Sequence, residues 1–343
     1  MPGRIRRTLK NTSLAGKTAI ITGGNKGLGF EVARQFLLLK VSRLIITTRD
    51  EAKGRAAVAA LSSDPEVVAA WAQEDNSLNI EYYLLEIEDY KSGLLFIQKV
   101  TENVLELDFL VLNAGVNIFE YQTSISGHEK VMQVNCYTHF LLVIHLSVLM
   151  RKSSKRINTP GHITLVGSFS HEQHTFEEIP IAANQRILDY YDDKSNFRRF
   201  RRYQDSKFVI NAFVQQMASM LLPNEVILNN VCPGVIETSI NQNMPLWAKP
   251  FMWVYTKRYK RPLLEGARLI VKAAVAVGQE SHGLFLQKGV MGRGAPFLDR
   301  EVGRDFRRRL WREVVIDLLC ADSRLGIERL LRNHLMMERG EWE

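Results

Sequence analysis

The chain alternates between short apolar runs and longer segments of helical period. Residues 18–22 (TAIIT), 44–48 (LIITT), 80–85, 108–112 (DFLVL), 162–166 (HITLV) and 226–231 are brief, aliphatic and rich in β-branched side chains. Such runs suit strands buried on both faces. Residues 27–40, 51–61, a stretch beginning near Tyr90, 128–152 and 203–222 carry apolar residues at helical spacing instead. The alternation predicts right-handed crossovers and a parallel sheet covered on both sides.

The expected fold is therefore α/β: a single Rossmann-like doubly wound parallel sheet with helices on both faces and a C-terminal helical extension. The expected divisions are a basic N-terminal arm over 1–14, a catalytic domain over 15–297 and the extension over 298–343. Ligands of such sheets bind beyond the carboxyl ends of the strands. The residues just after each strand are thus the candidates for chemistry.

Composition narrows the class. The chain of 343 residues is 46% hydrophobic and 24% charged, ordinary for a globular protein and unlike a collagen, a disordered chain or a multi-span membrane protein. The longest apolar run, Phe140 to Met150, is interrupted by His145 and Ser147 and falls short of the roughly 20 residues a membrane span needs. The basic N-terminus lacks a following apolar stretch, so it does not read as a signal peptide, and the cytoplasm is the expected compartment. Cys136, Cys232 and Cys320 are scattered, which argues against a disulfide scaffold or structural zinc. The net charge of +8 is concentrated in residues 1–17, 194–207 and 249–272. That pattern would attract an anion such as a phosphorylated cofactor or an acidic membrane. No nucleic-acid-binding motif accompanies the charge, so no nucleic-acid partner is expected.

The first strand runs into Thr22-Gly23-Gly24-Asn25-Lys26-Gly27-Leu28-Gly29. The spacing is neither a Walker A loop nor G-x-G-x-x-G. It still places glycines between a strand and a helix, where a backbone can approach a pyrophosphate at the helix N-terminus. Thr22, Gly23, Lys26, Gly27, Leu28 and Gly29 are the expected dinucleotide contacts. The second strand ends Thr47-Thr48-Arg49, with no acid at its tip to hold ribose hydroxyls. Arg49 and Lys26 instead suit a 2′-phosphate, so NADP(H) is the expected cofactor.

Further along stand Asn113-Ala114-Gly115 after the fourth strand, Asn135 in a helix, Ser168 after the fifth strand, and Tyr203-x-x-x-Lys207. Taken with the turn at 22–29, this order of motifs resembles the classical short-chain dehydrogenase/reductase family over residues 15–295. The stretches at 48–54 (TRDEAKG), 232–238 (CPGVIET) and 308–311 (RRLW) are similar to its retinol-dehydrogenase-like and WW-domain-oxidoreductase-like branch. The resemblance implies that Tyr203 exchanges the proton with the substrate oxygen and that Lys207 grips the nicotinamide ribose. It further implies that Ser168 holds the substrate oxygen and that Asn135 completes a proton relay. Tyr203 and Lys207 share one helix face, and a nearby ammonium would lower a phenol that otherwise titrates near 10. Glu86 would contact adenine, Asn113, Ala114 and Gly115 the adenosine ribose, and Pro233, Gly234, Ile236 and Thr238 the nicotinamide amide.

Two stretches depart from the compact family pattern. Ser168 and Tyr203 are 35 residues apart, which marks 171–202 as an insertion. It reads as a solvated loop or as a lid at the pocket mouth. His171 and His174 within it lack a third ligand, so no metal is expected. Residues 245–262 (PLWAKPFMWVYTKRYKRP) mix aromatics with cations. They read as part of a substrate lid over 239–265, with peripheral contact to an endomembrane as the alternative. Phe306, Leu310, Val314, Leu318 and Leu319 give the C-terminal extension an amphipathic face for docking on the domain or on a second subunit.

The expected function is NADPH-dependent interconversion of a carbonyl and a secondary or primary alcohol. The expected substrate is a bulky apolar molecule of steroid, retinoid, terpenoid or polyketide type, and a role in specialised-metabolite biosynthesis is implied by the branch. The alternative is a cofactor-binding scaffold or redox sensor without turnover. Family members often form homo-oligomers.

Overall fold

The computed structural model describes residues 12–72, 78–236 and 260–321, together with Gly3, Arg4, Leu9, Pro245, Trp247 and Arg258. Its strands, in chain order, are β1 (Gly3–Arg4), β2 (Thr18–Ile21), β3 (Arg43–Thr48), β4 (Asn79–Leu84), β5 (Phe109–Leu112), β6 (Gly161–Val166), β7 (Val226–Cys232), β8 (Val235–Ile236), β9 (Lys260–Arg261), β10 (Phe285–Gln287) and β11 (Val290–Gly292). Among the described residues the main sheet runs β1-β11-β10-β7-β6-β5-β2-β3-β4. Every pairing from β10 through β4 is parallel; β11 and β1 add an antiparallel edge. The winding reverses between β2 and β5, where Ile21 lies between Ile46 and Val111. A crevice opens at such a switch point.

The helices are α1 (Gly27–Leu38), α2 (Glu51–Ser62), α3 (Pro65–Trp71), α4 (Tyr90–Asn103), α5 (Lys130–Ile157), α6 (Ile187–Asp192), α7 (Arg202–Ala218), α8 (Leu263–Val271) and α9 (Glu301–Ala321). Side chains of α1, α2, α3 and α8 pack on one face of the sheet. Those of α4, α5, α7 and α9 pack on the other. Asp50, Asp64 and Asp89 cap α2, α3 and α4 by accepting amide hydrogens of the first turn.

Several features depart from the sequence reading. Helix α5 starts at Lys130 and runs on to Ile157, and it contains a π-helical segment at Gln133–Tyr137. By length and composition it could cross a membrane, but 94% of its most apolar window is buried inside the protein. The apolar run Phe140–Met150 is only the middle of this helix. The β10–β11 hairpin was too short to show a period. It turns at Lys288 and Gly289, with φ of 50° and 78°, the conformation favoured by two-residue hairpin turns.

The insertion is not a wholly solvated loop, for part of it is anchored in the core. Phe176, Ile187, Leu188 and Tyr191 are buried in the same core as α7 and α9. Arg202 is fully buried, 3.8 Å from Glu129, with its guanidinium over the rings of Tyr191 and Phe197. The described part of the C-terminal extension docks on the domain itself through Phe306, Leu310, Trp311, Val314, Val315 and Leu318.

His128 ties these pieces together. Its Nδ1 meets Asp192 of the insertion at 2.7 Å, and its Nε2 meets Asp317 of α9 at 3.2 Å. The Tyr90 hydroxyl donates to the same Asp317 oxygen, and the Glu129 amide donates to Asp192. Burial alone would lower the imidazole, yet the two carboxylates prevail and raise it to about 9. The clamp is therefore complete below the unfolded value near 6.5 and is lost as pH rises through about 9. His128→Gln should destabilise the protein at pH 6.5 by on the order of 2 kcal/mol. Melting curves against pH should show that gap closing above about pH 9.

Candidate active site

The switch point is closed at its floor by Thr22. Its hydroxyl accepts the amides of Asn113 (2.9 Å) and Ala114 (3.1 Å), while the Asn113 side chain donates to the Thr22 carbonyl. The ends of β2 and β5 are thereby locked together. The Gly23 amide donates to Thr47 Oγ1, which adds the end of β3. Glycine is required here by contact: a Cβ on Gly29 would lie 2.3 Å from the Gly23 carbonyl oxygen and 2.5 Å from Asn113 Nδ2.

Helix α1 begins at Gly27 with no side-chain cap and no acid in its first turn. Its amides and the positive end of its dipole face the cradle, an arrangement that fits an anion such as a pyrophosphate. Lys26 and Arg49 are exposed at this end of the sheet, and neither forms an ion pair among the described residues. The acid next to Arg49 is committed elsewhere, because Asp50 accepts the Lys53 amide at 2.8 Å as the cap of α2. Glu86 follows β4, where Ser92 Oγ accepts its backbone amide at 2.9 Å. A nicotinamide dinucleotide therefore fits the residues present.

Ser168, Tyr203, Lys207 and Asn135 converge on the far side of the crevice. Ser168 leaves β6 in extended conformation and caps a short 3-10 turn at Phe169–Gln173. Its Oγ receives the Ser170 amide at 3.2 Å and the Ser170 hydroxyl at 2.8 Å. Tyr203 hydrogen-bonds Ser168 from the first turn of α7. Lys207, one turn on, lies with Nζ 5.4 Å from the Tyr203 ring centroid and donates to the Val166 carbonyl at 2.9 Å.

Asn135 sits in the π-helical segment of α5. Its side chain brackets Val116, accepting from that amide and donating to that carbonyl, and it also donates to Ser206 Oγ at 2.9 Å. Ser206 in turn donates to the Tyr203 carbonyl. A π-bulge at such a position commonly marks a functional site.

The electrostatics correct one expectation. Lys207 is not what sets the Tyr203 phenol; burial pushes it above its usual value, with the Ser168 hydrogen bond opposing. Burial also pushes the Lys207 ammonium down to about 8. Tyr203 is thus a neutral phenol in this state, and the lysine is the group poised near neutral pH.

Three residues take supporting roles that the sequence did not show. Cys232 Sγ accepts the amides of Phe169 (3.3 Å) and Gly234 (3.4 Å), joining the Ser168 turn to the Pro233-Gly234 turn. His171 Nδ1 lies 2.6 Å from the Ser168 carbonyl, so this histidine steadies the serine turn. His139 Nδ1 lies 3.1 Å from the Asn135 carbonyl. No group of three metal-ligating residues occurs among the described residues. Scattered single residues of this kind carry no sequence signal, because their role is defined only by the turn they meet. Gly234 has φ of 91° and is packed by the Arg261 side chain, and Ile236 is held in the β8–β9 pair. Thr238 and most of 239–259 lie outside the described residues, as do most of the 1–14 arm and all of 322–343.

A family model described as short chain dehydrogenase matches residues 17–180. The short chain dehydrogenase sor7 of Hypocrea jecorina (strain QM6a) is 42% identical over 82% of this chain and 77% of its own length. The short-chain dehydrogenase/reductase tropG of Talaromyces stipitatus is 31% identical over 89% of this chain and 92% of its own. Among solved structures, the Pseudomonas aeruginosa RhlG/NADP active-site complex superposes with a TM-score of 0.56 at 22% identity, covering 78% of this chain and 94% of that one. A 7α-hydroxysteroid dehydrogenase complexed with NADH and 7-oxo glycochenodeoxycholic acid gives a TM-score of 0.59 at 18% identity, covering 82% and 96%. At these identities the two structures speak to the fold.

The glycine contacts make a direct contrast. Gly29→Ala should cost about 1–3 kcal/mol, because its Cβ meets backbone. Gly27→Ala, which points into open space but needs φ of 57°, should cost about 1 kcal/mol. Chemical denaturation of the two variants checks the order.

Proposed function

The chain belongs to the short-chain dehydrogenase/reductase family and is an oxidoreductase of the alcohol/carbonyl type; on that premise we propose that it is an NADPH-dependent reductase of a bulky apolar carbonyl compound in specialised-metabolite biosynthesis. The carrying observation is the convergence of Ser168, Tyr203, Lys207 and Asn135 at the switch point, with a helix N-terminus flanked by Lys26 and Arg49, which form no ion pair among the described residues. Residues 15–297 form the catalytic unit in this reading.

The bound nicotinamide supplies the hydride. The protein's residues manage the oxygen. Ser170 fills acceptor positions on Ser168 Oγ, so the Ser168 hydroxyl hydrogen, which faces the Tyr203 oxygen here, is the one that turns to the substrate oxygen. Tyr203 gives its phenolic proton to that oxygen as the carbonyl carbon takes the hydride, and Lys207 stabilises the phenolate left behind. Asn135 holds α5 and α7 in register by bonding Val116 and Ser206, which keeps the relay geometry. In the reverse direction the Tyr203 phenolate takes the alcohol proton.

A scaffold without turnover has no need of this cluster. Tyr203→Phe should lower kcat/KM for carbonyl reduction by about 10²–10⁴ while leaving cofactor binding intact. NADPH at about 100 times its Kd should stabilise the protein by about 2.7 kcal/mol. Arg49→Ala should remove the advantage of NADPH over NADH in that melt. Because Lys207 loses its proton as pH rises through about 8, NADPH affinity should fall over that range, and Lys207→Met should flatten the dependence.

A further inference from the structure

Phe119, Phe200 and Trp247 form a row of three aromatic rings. Phe119, in the loop after β5, meets Phe200 at 5.6 Å between centroids. Phe200, in the turn before α7, meets Trp247 at 5.6 Å, edge to face. Phe119 is 4% exposed, Phe200 41% and Trp247 63%. The row therefore has a buried inner end and an open outer end. Phe119 stands four residues after Gly115 and Phe200 three before Tyr203, so both supporting segments lead directly to the catalytic cluster. An open apolar wall of this kind gains from a flat molecule that covers it.

The four arginines around Phe200 are not equivalent. Arg202 is buried against Glu129. Arg201 donates to the Gln173 carbonyl and faces Glu178 at 4.0 Å. Arg198 and Arg199 are exposed, and neither side chain forms an ion pair or hydrogen bond among the described residues. The fold thus uses two guanidinium groups and leaves two to solvent beside the exposed ring. A guanidinium fork matches a carboxylate with two parallel hydrogen bonds.

We propose that the substrate is a flat, conjugated carbonyl compound bearing a carboxylate or an equally acidic hydroxyl, with its ring on Phe119, Phe200 and Trp247 and its anion held by Arg198 and Arg199. This rests on the reductase reading above and narrows its substrate class. A saturated aliphatic ketone would cover the wall less closely, and a neutral one would leave both cations unused.

The test uses the full chain with NADP+ and three probes: 6-acetyl-2-naphthoic acid, its methyl ester, and the ring-saturated acid. Titration calorimetry should show the acid binding about tenfold tighter than the ester. The Arg198→Ala/Arg199→Ala double variant should erase that difference. Phe200→Ala should weaken the acid and the ester by similar factors, and the saturated acid should bind several-fold more weakly than the aromatic one. Equal affinity of acid and ester, no change in the double variant, or no binding of any probe at millimolar concentration would overturn the proposal. So would sedimentation of the wild type with phosphatidylserine vesicles that the double variant loses, which would assign the arginines to a lipid surface. The reductase reading fails separately, if NADPH leaves the melting temperature unchanged or if Tyr203→Phe leaves reduction intact.

Discussion

One hydroxyl closes the floor of the crevice. Thr22 accepts two consecutive amides from the segment after β5 while its own amide donates to Val111. Two parallel strands that diverge at a switch point would otherwise leave buried amides unpaired, each at a cost of about 1–3 kcal/mol. With those amides satisfied, the Gly23 and Ala114 turns approach closely, and only a glycine at 29 can pass between them. The start of α1 and the path toward Asn135 both follow from that closure.

Opposite the cradle, the polar cluster is built by burial. Lys207 is 4% exposed and holds one backbone carbonyl, so its ammonium is destabilised and titrates near neutrality. Tyr203, also shielded from water, stays protonated. A proton donor and a neighbouring cation are thereby kept apart in charge state until substrate and cofactor arrive. Around them Cys232 accepts two amides, and His171 and Ser206 each hold one carbonyl, which fixes the Ser168, Gly234 and Tyr203 turns of the backbone. The precision of the site comes from these minor ligands of the main chain as much as from the reacting groups.

The insertion and the C-terminal helix share one core with α7. Asp205, two residues past Tyr203, accepts the amide and hydroxyl of Thr175, and burial raises its carboxyl to about 6. Arg202, just before Tyr203, is sealed between Glu129 and two aromatic rings. Tyr203 is thus flanked on both sides by buried polar side chains that tie α7 to its surroundings. The insertion therefore braces α7, and its outer edge, at Arg198 to Phe200, is exposed.

The sequence by itself determined the α/β alternation, because strand and helix periods are local and the six aliphatic runs are unambiguous. It also marked the turn at 22–29 and the order Asn135, Ser168, Tyr203 and Lys207, since close backbone approach and one-turn spacing leave short-range traces. It did not disclose that α5 breaks into a π-segment, for a single extra residue per turn has no composition of its own. Nor did it reveal that the basic, aromatic stretch 171–202 is pinned to the core at Phe176, Ile187, Leu188, Tyr191 and Arg202, because a polar residue such as Arg202 or Asp205 reads as surface until a distant partner is brought to it. Tertiary structure alone decided those pairings. Glu129, Asp192, Thr175 and Asp317 meet their partners across 30 to nearly 200 residues of chain, and only folding sets the burial that fixes each charge.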